Sequence, residues 1–440
     1  MVKSGMKINR YLWNSLNKTD RDRILSRSQT DISAVLPDVR KIIDEVRRCG
    51  DEALRRFTKE WDHVDLNGIP LRVSPEELSA AEASLSDDLK KALDFSIENI
   101  RRFHEKQKPE GIPPFEISKG IFGGEKATPI ESLGIYVPRG RGSFPSMLYM
   151  TAIPAVVAGV DRICVVTPPA ADGSVDASCL YAAKQCGITE VYRVGGAQAI
   201  AALAYGTESI APVVKLTGPG SRYVTAAKRL LYGTIDVGLP AGPSESILLA
   251  DETADPYTAA LDLITEAEHG SDSSALLITP SESLVDAVEA ELPRLIGRLP
   301  EQRRQFVTDV LSGYGGIILT ETLDEAVLLV NRLATEHLKI VTADPFATEK
   351  AIRNAGEIIL GGQTPFSAAN YSIGPNAVLP TGGTAKTYSG VSVRDFVKYS
   401  SVIYTTEEGY RTLKDIVPVI ADYEGFAAHK NAFDLREKRN

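Results

Sequence analysis

The chain has 440 residues, 43% of them hydrophobic and 24% charged, which is ordinary for a soluble globular protein of about two to four folding units. Its net charge of −9 argues against nucleic acid as the main partner, because phosphate binding needs a basic surface. No apolar stretch is long enough to span a membrane, and residues 1–18 lack the apolar core of a signal peptide, so we expect a cytoplasmic protein.

The cysteines agree with a reducing compartment. The chain has four of them, Cys49, Cys164, Cys179 and Cys186, and no two have the Cys-x-x-Cys spacing of a zinc or redox site. Cys164 stands in an apolar run, which predicts a buried thiol that behaves as a small hydrophobic residue.

The N-terminal third is mainly helical by pattern. Residues 1–29 are polar and read as an arm or a short helical appendage. Between residues 31 and 48 the apolar positions recur at helical spacing, and Gly50 is predicted to end that helix. A longer helix is predicted over 87–105, followed by a strand-like region that reaches residue 137.

From residue 138 to about 378, predicted strands alternate with predicted helices, which indicates parallel β-α-β units. The strands are predicted at 162–167, 190–194, 213–217, 247–250, 275–279, 317–320, 338–341 and 358–360. The helices between them are predicted at 147–158, 177–185, 197–204, 223–231, 257–268, 284–292, 301–311, 323–333 and 347–354.

One short stretch carries a candidate acid/base pair. Glu336 and His337 stand immediately before an apolar run, where two neighbouring side chains at a loop–strand junction can reach one site. The alternative is an exposed glutamate beside a helix-terminal histidine, and the local sequence alone favours that alternative.

A second candidate stands at the end of the helix predicted over 257–268. Glu266 and His269 are three residues apart, so they share a helical face and could both bind zinc. The alternative is an exposed helix end, where a cationic histidine suits the helix dipole. The metal interpretation needs partners from elsewhere in the chain.

The sequence lacks the ordinary dinucleotide-binding fingerprint, because no Gly-x-Gly-x-x-Gly motif stands between a predicted strand and a predicted helix. Gly218-Pro219-Gly220 is either a tight turn or a backbone cradle near a cofactor, and spacing alone favours the turn. The loop-rich stretch 363–383 has the length of a functional loop.

Taken together, these stretches resemble the histidinol dehydrogenase family over roughly residues 36–435. The resemblance rests on the order and spacing of eight segments: 134–138, 195–207, 218–220, 241–245, 267–273, 336–338, 388–396 and 424–432. It implies an enzyme that oxidises an amino alcohol to an amino acid in two hydride transfers, with two NAD, a zinc ion and a bound aldehyde.

The resemblance also implies roles for individual residues. Glu336 matches the residue that activates water for attack on the aldehyde, and His337 matches the general base that takes the hydroxyl proton. Tyr136 and Gln198 match cofactor positions, and Ser244 matches a serine that contacts the substrate.

The implied zinc ligands are Glu266, His269, Asn370 and His429, with acid and amide exchanged relative to the family pattern of Gln, His, Asp and His. Ligand charge is unchanged and both side chains still offer oxygen. The resemblance implies that His429 and Glu424, a further substrate contact, come from the other subunit of a homodimer. Substrate contacts are then expected at Ser244, Glu266, His269, His337, Asn370, Glu424 and His429.

Three further positions depart from the family pattern. Ala377 replaces a histidine that helps to hold the far end of the substrate, Ser221 replaces a cofactor-contacting asparagine, and Arg139 replaces a glycine. We therefore consider three functions: histidinol oxidation, oxidation of another small polar alcohol such as a sulfonated diol, and metal or ligand binding without catalysis.

The implied fold is α/β, with two incomplete Rossmann-like domains and small terminal domains in an intertwined homodimer. The first domain would be discontinuous, over 30–140 and 245–390, and the second would be the inserted segment 141–244. Residues 1–29 would form an arm, and 391–440 would form a C-terminal domain that swaps between subunits.

Overall fold

The computed structural model describes residues 7–26, 32–140 and 142–436. Its strands are β1 (Arg10–Leu12), β2 (Ile112–Ser118), β3 (Ile121–Pro129), β4 (Ser132–Tyr136), β5 (Arg162–Val166), β6 (Glu190–Tyr192), β7 (Lys215–Thr217), β8 (Glu245–Ala250), β9 (Ser274–Thr279), β10 (Gly316–Leu319), β11 (His337–Val341), β12 (Glu357–Leu360) and β13 (Val397–Thr405).

The N-terminal and inserted helices are α1 (Lys18–Ser26), α2 (Leu36–Phe57), α3 (Pro75–Ser84), α4 (Asp87–Gln107), α5 (Pro145–Ala158), α6 (Ala177–Gln185), α7 (Gly196–Tyr205) and α8 (Arg222–Leu231). The remaining helices are α9 (Pro256–Thr265), α10 (Glu282–Ile296), α11 (Glu301–Ser312), α12 (Leu323–Leu333), α13 (Pro345–Glu349), α14 (Phe366–Tyr371), α15 (Glu407–Tyr423) and α16 (Ala427–Asp434).

The largest sheet has six parallel strands in the order β1-β10-β9-β8-β11-β12. Helices α9, α10 and α11 cover one face, and α12 covers the other. Because both faces are covered, β8 and β9 are buried along their whole length. The predicted α/β class with parallel strands is therefore confirmed.

A second parallel sheet has four strands in the order β6-β5-β4-β7. Helices α2, α7 and α8 pack on one face, and α3 to α6 pack on the other. Strand β4 thus belongs with strands from 141–244, whereas the expected domain boundaries group it with 245–390. In the structure β4 pairs with β5 and β7, so the four-stranded sheet includes a strand from before residue 141. The division into folding domains stays a prediction.

A small antiparallel sheet has the order β13-β3-β2, and helices α15 and α16 pack together beside β13. This part of the chain exposes many large apolar side chains: Phe115, Ile117, Ile403, Tyr404, Val419, Ile420, Tyr423 and Phe426. An exposed apolar surface of that kind is typical of protein or membrane interaction sites and of ligand-binding grooves.

Several predicted elements differ from the structure. The arm supplies β1, which pairs with β10 at the edge of the largest sheet, as well as the short helix α1. Residues 1–6 and 27–29 of the arm lie outside the described residues, as does Arg141. Gly50 is non-helical, with a φ of 51°, and divides α2 at a kink into two helical segments, so the predicted helix end at Gly50 is confirmed. The helix expected over 347–354 is shorter in the structure and begins earlier, because α13 covers only Pro345–Glu349.

No described helix is both long enough and apolar enough to cross a membrane. All four cysteines are free thiols, and Cys164 is fully buried as predicted.

A buried ion pair joins α9 to β11 beneath the amino edge of the largest sheet. Lys339 Nζ lies 2.5 Å from Asp262 Oδ2, and the two side chains are 1% and 7% exposed. Lys339 follows His337 by two residues, and Asp262 precedes Glu266 by one helical turn. The pair therefore holds the two candidate site segments against each other.

We predict that Lys339→Met destabilises the protein by about 3–5 kcal/mol, because it leaves the Asp262 carboxylate buried without its partner. The double variant Lys339→Met with Asp262→Leu should lose less stability than Lys339→Met alone. Urea unfolding of the three proteins measures both effects. A double variant that is no more stable than Lys339→Met alone would contradict the prediction.

Candidate active site

The candidate catalytic residues gather at the amino edge of the six-stranded sheet. Helix α12 ends at Ala334, which adopts a left-handed conformation with a φ of 49°. This turn, which costs a non-glycine residue roughly 1–2 kcal/mol, brings Glu336 in front of β11. His337 is the first residue of that strand.

Glu336 and His337 both point into the protein. They are 8% and 3% exposed, and His337 Nε2 lies 3.6 Å from Glu336 Oε2. The backbone N–H of Glu245 donates to Glu336 Oε2 at 2.9 Å, which fixes the carboxylate. Phe366 packs edge-on against the imidazole, with 6.3 Å between ring centroids. The sequence-favoured alternative of an exposed pair does not describe these residues.

Burial and neighbouring charges shift the proton affinities of the pair. Burial is the largest effect on Glu336 and raises its pKa to about 7, with the cation of His337 opposing it. Burial lowers the pKa of His337, but the carboxylates of Glu336, Glu266 and Glu357 outweigh it and raise the pKa to about 10. The proton therefore stays on the imidazole among three acids.

Glu357 is a site residue that the sequence interpretation missed. It is the first residue of β12 and pairs in register with His337 on the neighbouring strand. Its Oε1 lies 2.5 Å from His337 Nδ1. The signal was present in the sequence only as a polar residue opening an apolar strand, and the strand order that brings it to His337 was not predicted.

Glu266, His269 and Asn370 meet beside the pair. Helix α9 starts behind Asp255, whose side chain accepts from the N–H of Thr258, and it runs on into a 3₁₀ turn over Glu266–His269. In that turn residues i and i+3 are eclipsed, so His269 Nε2 lies 3.1 Å from Glu266 Oε2.

Asn370 completes the group from α14. Its Nδ2 donates to Glu266 Oε1 at 2.6 Å. Glu266 is fully buried, yet its Oε2 receives no well-aligned hydrogen bond and lies 4.0 Å from His337 Nε2. Burial raises the pKa of Glu266, but the two histidines and Asn370 lower it to about 2, so it is an anion.

This donor set fits a zinc ion. A carboxylate, an imidazole and an amide oxygen are hard or borderline ligands of the kind zinc accepts, and Glu266 Oε2 is a buried acceptor without a well-aligned donor. Within the described ranges, no three His, Cys, Asp or Glu residues are grouped as a metal site. Toward the proposed zinc site, one chain provides a carboxylate from Glu266, an imidazole from His269 and an amide from Asn370.

The remaining predicted residues are not all at this site. Ser244 directly precedes β8, and its carbonyl accepts from the N–H of Ser274. Glu424 and His429 lie on the exposed C-terminal helices, where His429 contacts Phe426 at 5.2 Å between ring centroids. Among the described contacts, none brings Glu424 or His429 to Glu266 of the same chain.

The predicted cofactor residues lie at the carboxyl edge of the four-stranded sheet. Tyr136 ends β4, and its hydroxyl accepts from the N–H of Gly196. Gln198 is 1% exposed, and its Oε1 is buried without a hydrogen-bond donor. Gly218 has a φ of 111°, and a Cβ there would lie 2.1 Å from the carbonyl oxygen of Tyr136. Ser221 caps α8 without using its side chain.

A cavity of about 380 Å³ opens at the same edge, lined by Asp62, Arg139, Gly140, Gly142, Ser143, Pro168, Pro169 and Asp176. A Cβ on Gly142 would lie 3.8 Å from the guanidinium of Arg303. Arg303 in turn donates to the carbonyl of Glu268, beside His269. Arg303 therefore lies between the cavity and the 3₁₀ turn that carries Glu266 and His269.

The chain is similar to known proteins over nearly its whole length. The model of the family described as histidinol dehydrogenase matches residues 25–437. The chain is 48% identical to histidinol dehydrogenase of Synechocystis over 95% of its length and 96% of that protein. It is equally identical to a Rhizobium meliloti protein named histidinol dehydrogenase homolog, over 97% of its length and 94% of that protein.

The chain belongs to the histidinol dehydrogenase family. The crystal structure of histidinol dehydrogenase from Elizabethkingia anophelis superposes with a TM-score of 0.92 at 32% identity, and the match covers 98% of both chains. Family membership makes the chain an oxidoreductase that acts on an alcohol or aldehyde. It supports oxidation of histidinol to histidine.

The carboxylates around His337 make the stability of the protein depend on pH. The pKa of His337 is higher in the folded protein than its ordinary value of 6.5, so the bound proton stabilises the fold fully below pH 6.5. That contribution is lost as the pH rises toward about 10.

We expect the metal-free protein to lose roughly 1–3 kcal/mol more stability than His337→Asn between pH 6.5 and 10, measured by urea unfolding. His63→Asn is the matched control, because His63 is exposed and asparagine tolerates its left-handed φ of 57°. This control should follow the wild type. Parallel curves for wild type and His337→Asn would contradict the role of the carboxylates.

Proposed function

We propose that the protein oxidises L-histidinol to L-histidine with NAD and zinc, through a bound aldehyde and two hydride transfers. One observation carries the proposal: His337 Nε2 lies within 4.0 Å of both Glu336 and Glu266, at the point where Glu266, His269 and Asn370 meet. A base, a second base and a ligand group thus adjoin one another.

His337 is the base for the substrate hydroxyl. Histidine can take a proton near neutral pH, and its Nε2 faces the ligand group. Glu266 helps to hold the His337 proton in the metal-free protein. A cation held by Glu266 would remove one of the carboxylate charges that raise the pKa of His337, and this favours the neutral imidazole that accepts the hydroxyl proton.

Glu336 is the base for water in the second oxidation. Burial raises its pKa to about 7, so the carboxylate accepts a proton readily at neutral pH. Its oxygen is oriented by the N–H of Glu245, and this fixes the direction from which water can be activated. Two bases, one for the alcohol and one for the hydrated aldehyde, match the two oxidations.

Glu266, His269 and Asn370 would hold the zinc ion, and His429 of a second copy would supply the fourth ligand. Bound zinc orients the substrate and polarises its oxygen. The exposed apolar side chains around α15 and β13 support the homodimer, because they provide the surface that a second copy would bury. Glu424 lies just before α16 and would reach the substrate from the same partner.

Tyr136, Gln198 and Ser221 would hold NAD at the carboxyl edge of the four-stranded sheet. The buried Gln198 Oε1 awaits a donor, which a nicotinamide or ribose group can provide. A Cβ on Gly218 would lie 2.1 Å from the carbonyl oxygen of Tyr136, so this position has no room for a side chain at the edge where the cavity of about 380 Å³ opens. With its free thiols, the protein is expected to work in the cytoplasm.

The comparisons do not favour the two other functions considered from the sequence. The decisive assay supplies purified zinc-loaded protein with NAD and L-histidinol and follows NADH and histidine. Two NADH per histidine are expected. His337→Asn should lower kcat by roughly two orders of magnitude, as loss of a general base does.

Chelation of zinc should abolish turnover, and added zinc should restore it. A panel of small polar alcohols, including a sulfonated diol, is assayed in parallel with histidinol. Absence of NADH from histidinol while zinc is bound, or near-normal kcat in His337→Asn, would overturn the proposal.

The exchange of acid and amide at Glu266 and Asn370 makes a separate prediction. Glu266→Gln removes the anionic ligand and should weaken zinc binding roughly tenfold or more. Adding Asn370→Asp restores one carboxylate and one amide within hydrogen-bond distance, and we expect affinity to return to within about threefold of the wild type.

Competition with a chromophoric chelator measures the zinc affinities of the three proteins. Asn370→Asp alone is the matched control for added negative charge. A double variant that binds zinc no better than Glu266→Gln would show that the two positions do not act as an exchangeable pair.

A further inference from the structure

The two ring nitrogens of His337 face different surroundings. Nδ1 lies 2.5 Å from Glu357 Oε1, whereas Nε2 faces Glu336 Oε2 at 3.6 Å and Glu266 Oε2 at 4.0 Å. One side of the imidazole is therefore committed to a close hydrogen bond, and the other side faces the ligand group.

This geometry follows from the sheet. Strands β11 and β12 are parallel with His337 opposite Glu357, so both side chains project from the same face at the same edge. The N–H of Glu357 donates to the carbonyl of Glu336, which anchors the start of β12 to the acid/base pair. The carboxylate of Glu357 is 11% exposed and the imidazole 4%, so little water competes for the bond.

A carboxylate at Nδ1 has two chemical consequences. It accepts a hydrogen bond from the Nδ1–H group, which keeps the proton of the neutral ring on Nδ1. The lone pair is then at Nε2, where the substrate proton must arrive. It also stabilises the imidazolium that forms when Nε2 takes that proton. Phe366 packs edge-on against the ring and hinders the flip that would exchange the two nitrogens.

We propose that Glu357 is the positioning residue for His337: it holds the tautomer with Nε2 free and stabilises the imidazolium during oxidation. This inference rests on the proposed function of His337 as the base. In the oxidation of the alcohol, the carbon–hydrogen bond would give its electron pair to nicotinamide as hydride while a carbon–oxygen double bond forms. The hydroxyl proton of the alcohol goes to Nε2, while Nδ1 keeps its proton and its hydrogen bond to Glu357.

Two variants separate the effects of Glu357. Glu357→Gln keeps an oxygen that can accept from Nδ1 but removes the charge, and we expect kcat to fall about tenfold. Glu357→Leu removes acceptor and charge together, and kcat should fall about a hundredfold. In both variants the KM for histidinol should stay within about threefold of the wild type, because Glu357 does not reach the substrate.

Glu190→Leu is the matched control. Like Glu357, Glu190 opens an edge strand of a parallel sheet and is partly buried with a cationic partner, Arg162, at 2.9 Å. It is remote from His337 in the other sheet. Its loss should lower the midpoint of urea unfolding without changing kcat for histidinol.

The second readout is independent of turnover. Nitrogen NMR of zinc-loaded protein labelled in its five histidines reports which ring nitrogen of His337 carries the proton, with His337→Asn assigning the signal. We expect a protonated, hydrogen-bonded Nδ1 in the wild type, in Glu190→Leu and in Glu357→Gln. In Glu357→Leu that signal should be lost.

The outcomes distinguish this inference from the proposed function. A wild type that oxidises histidinol, with an unchanged His337 signal and unchanged kcat in Glu357→Leu, would overturn the role of Glu357 alone. If the wild type does not oxidise histidinol, the proposed function fails, and the NMR signal alone decides whether Glu357 holds the tautomer. A larger loss of kcat in Glu357→Gln than in Glu357→Leu would also contradict the inference.

Discussion

The site depends on one electrostatic constraint: several glutamates are buried around a single imidazole. Glu245, Glu266, Glu336 and Glu357 all stand at or near the amino edge of the six-stranded sheet, and His337 is close to three of them. Burying a carboxylate is costly unless a cation or several donors compensate it. In the absence of a metal, the proton on His337 supplies part of that compensation. A cation at Glu266 can replace it, and so metal binding and the proton affinity of His337 are coupled.

The fold meets this constraint through backbone register more than through local propensity. His337 and Glu357 are opposite each other because β11 and β12 pair in parallel, and Glu336 is fixed by the N–H of Glu245 at the start of β8. The left-handed turn at Ala334 is the local strain that makes this placement possible. The buried Lys339–Asp262 pair then ties the strand to the helix that carries Glu266.

The sequence was informative where periodicity was strong. The helix at 323–333 and most strands of the two parallel sheets were predicted to within a few residues, because their apolar runs are buried on two faces. It was uninformative where pairing joins distant segments. The short strand β1 has no hydrophobic signal of its own, and Glu357 looks like any polar residue before a strand. Local reasoning even favoured an exposed Glu336–His337 pair, since burial of charge depends on neighbours that sequence spacing does not reveal.

The cavity and the acid/base pair lie at opposite edges of their sheets: the cavity at the carboxyl edge of the four-stranded sheet, and the pair at the amino edge of the six-stranded sheet. Ligands of open parallel sheets ordinarily bind at the carboxyl ends of the strands, and the cavity beside Tyr136 follows that rule. The acid/base pair does not, because His337 and Glu357 are the first residues of their strands. The contacts of Arg303 with Glu268 and near Gly142 link the two edges. Under the proposed function the hydride acceptor and the base need not share one sheet: each sheet would supply one edge, and the substrate would lie between them.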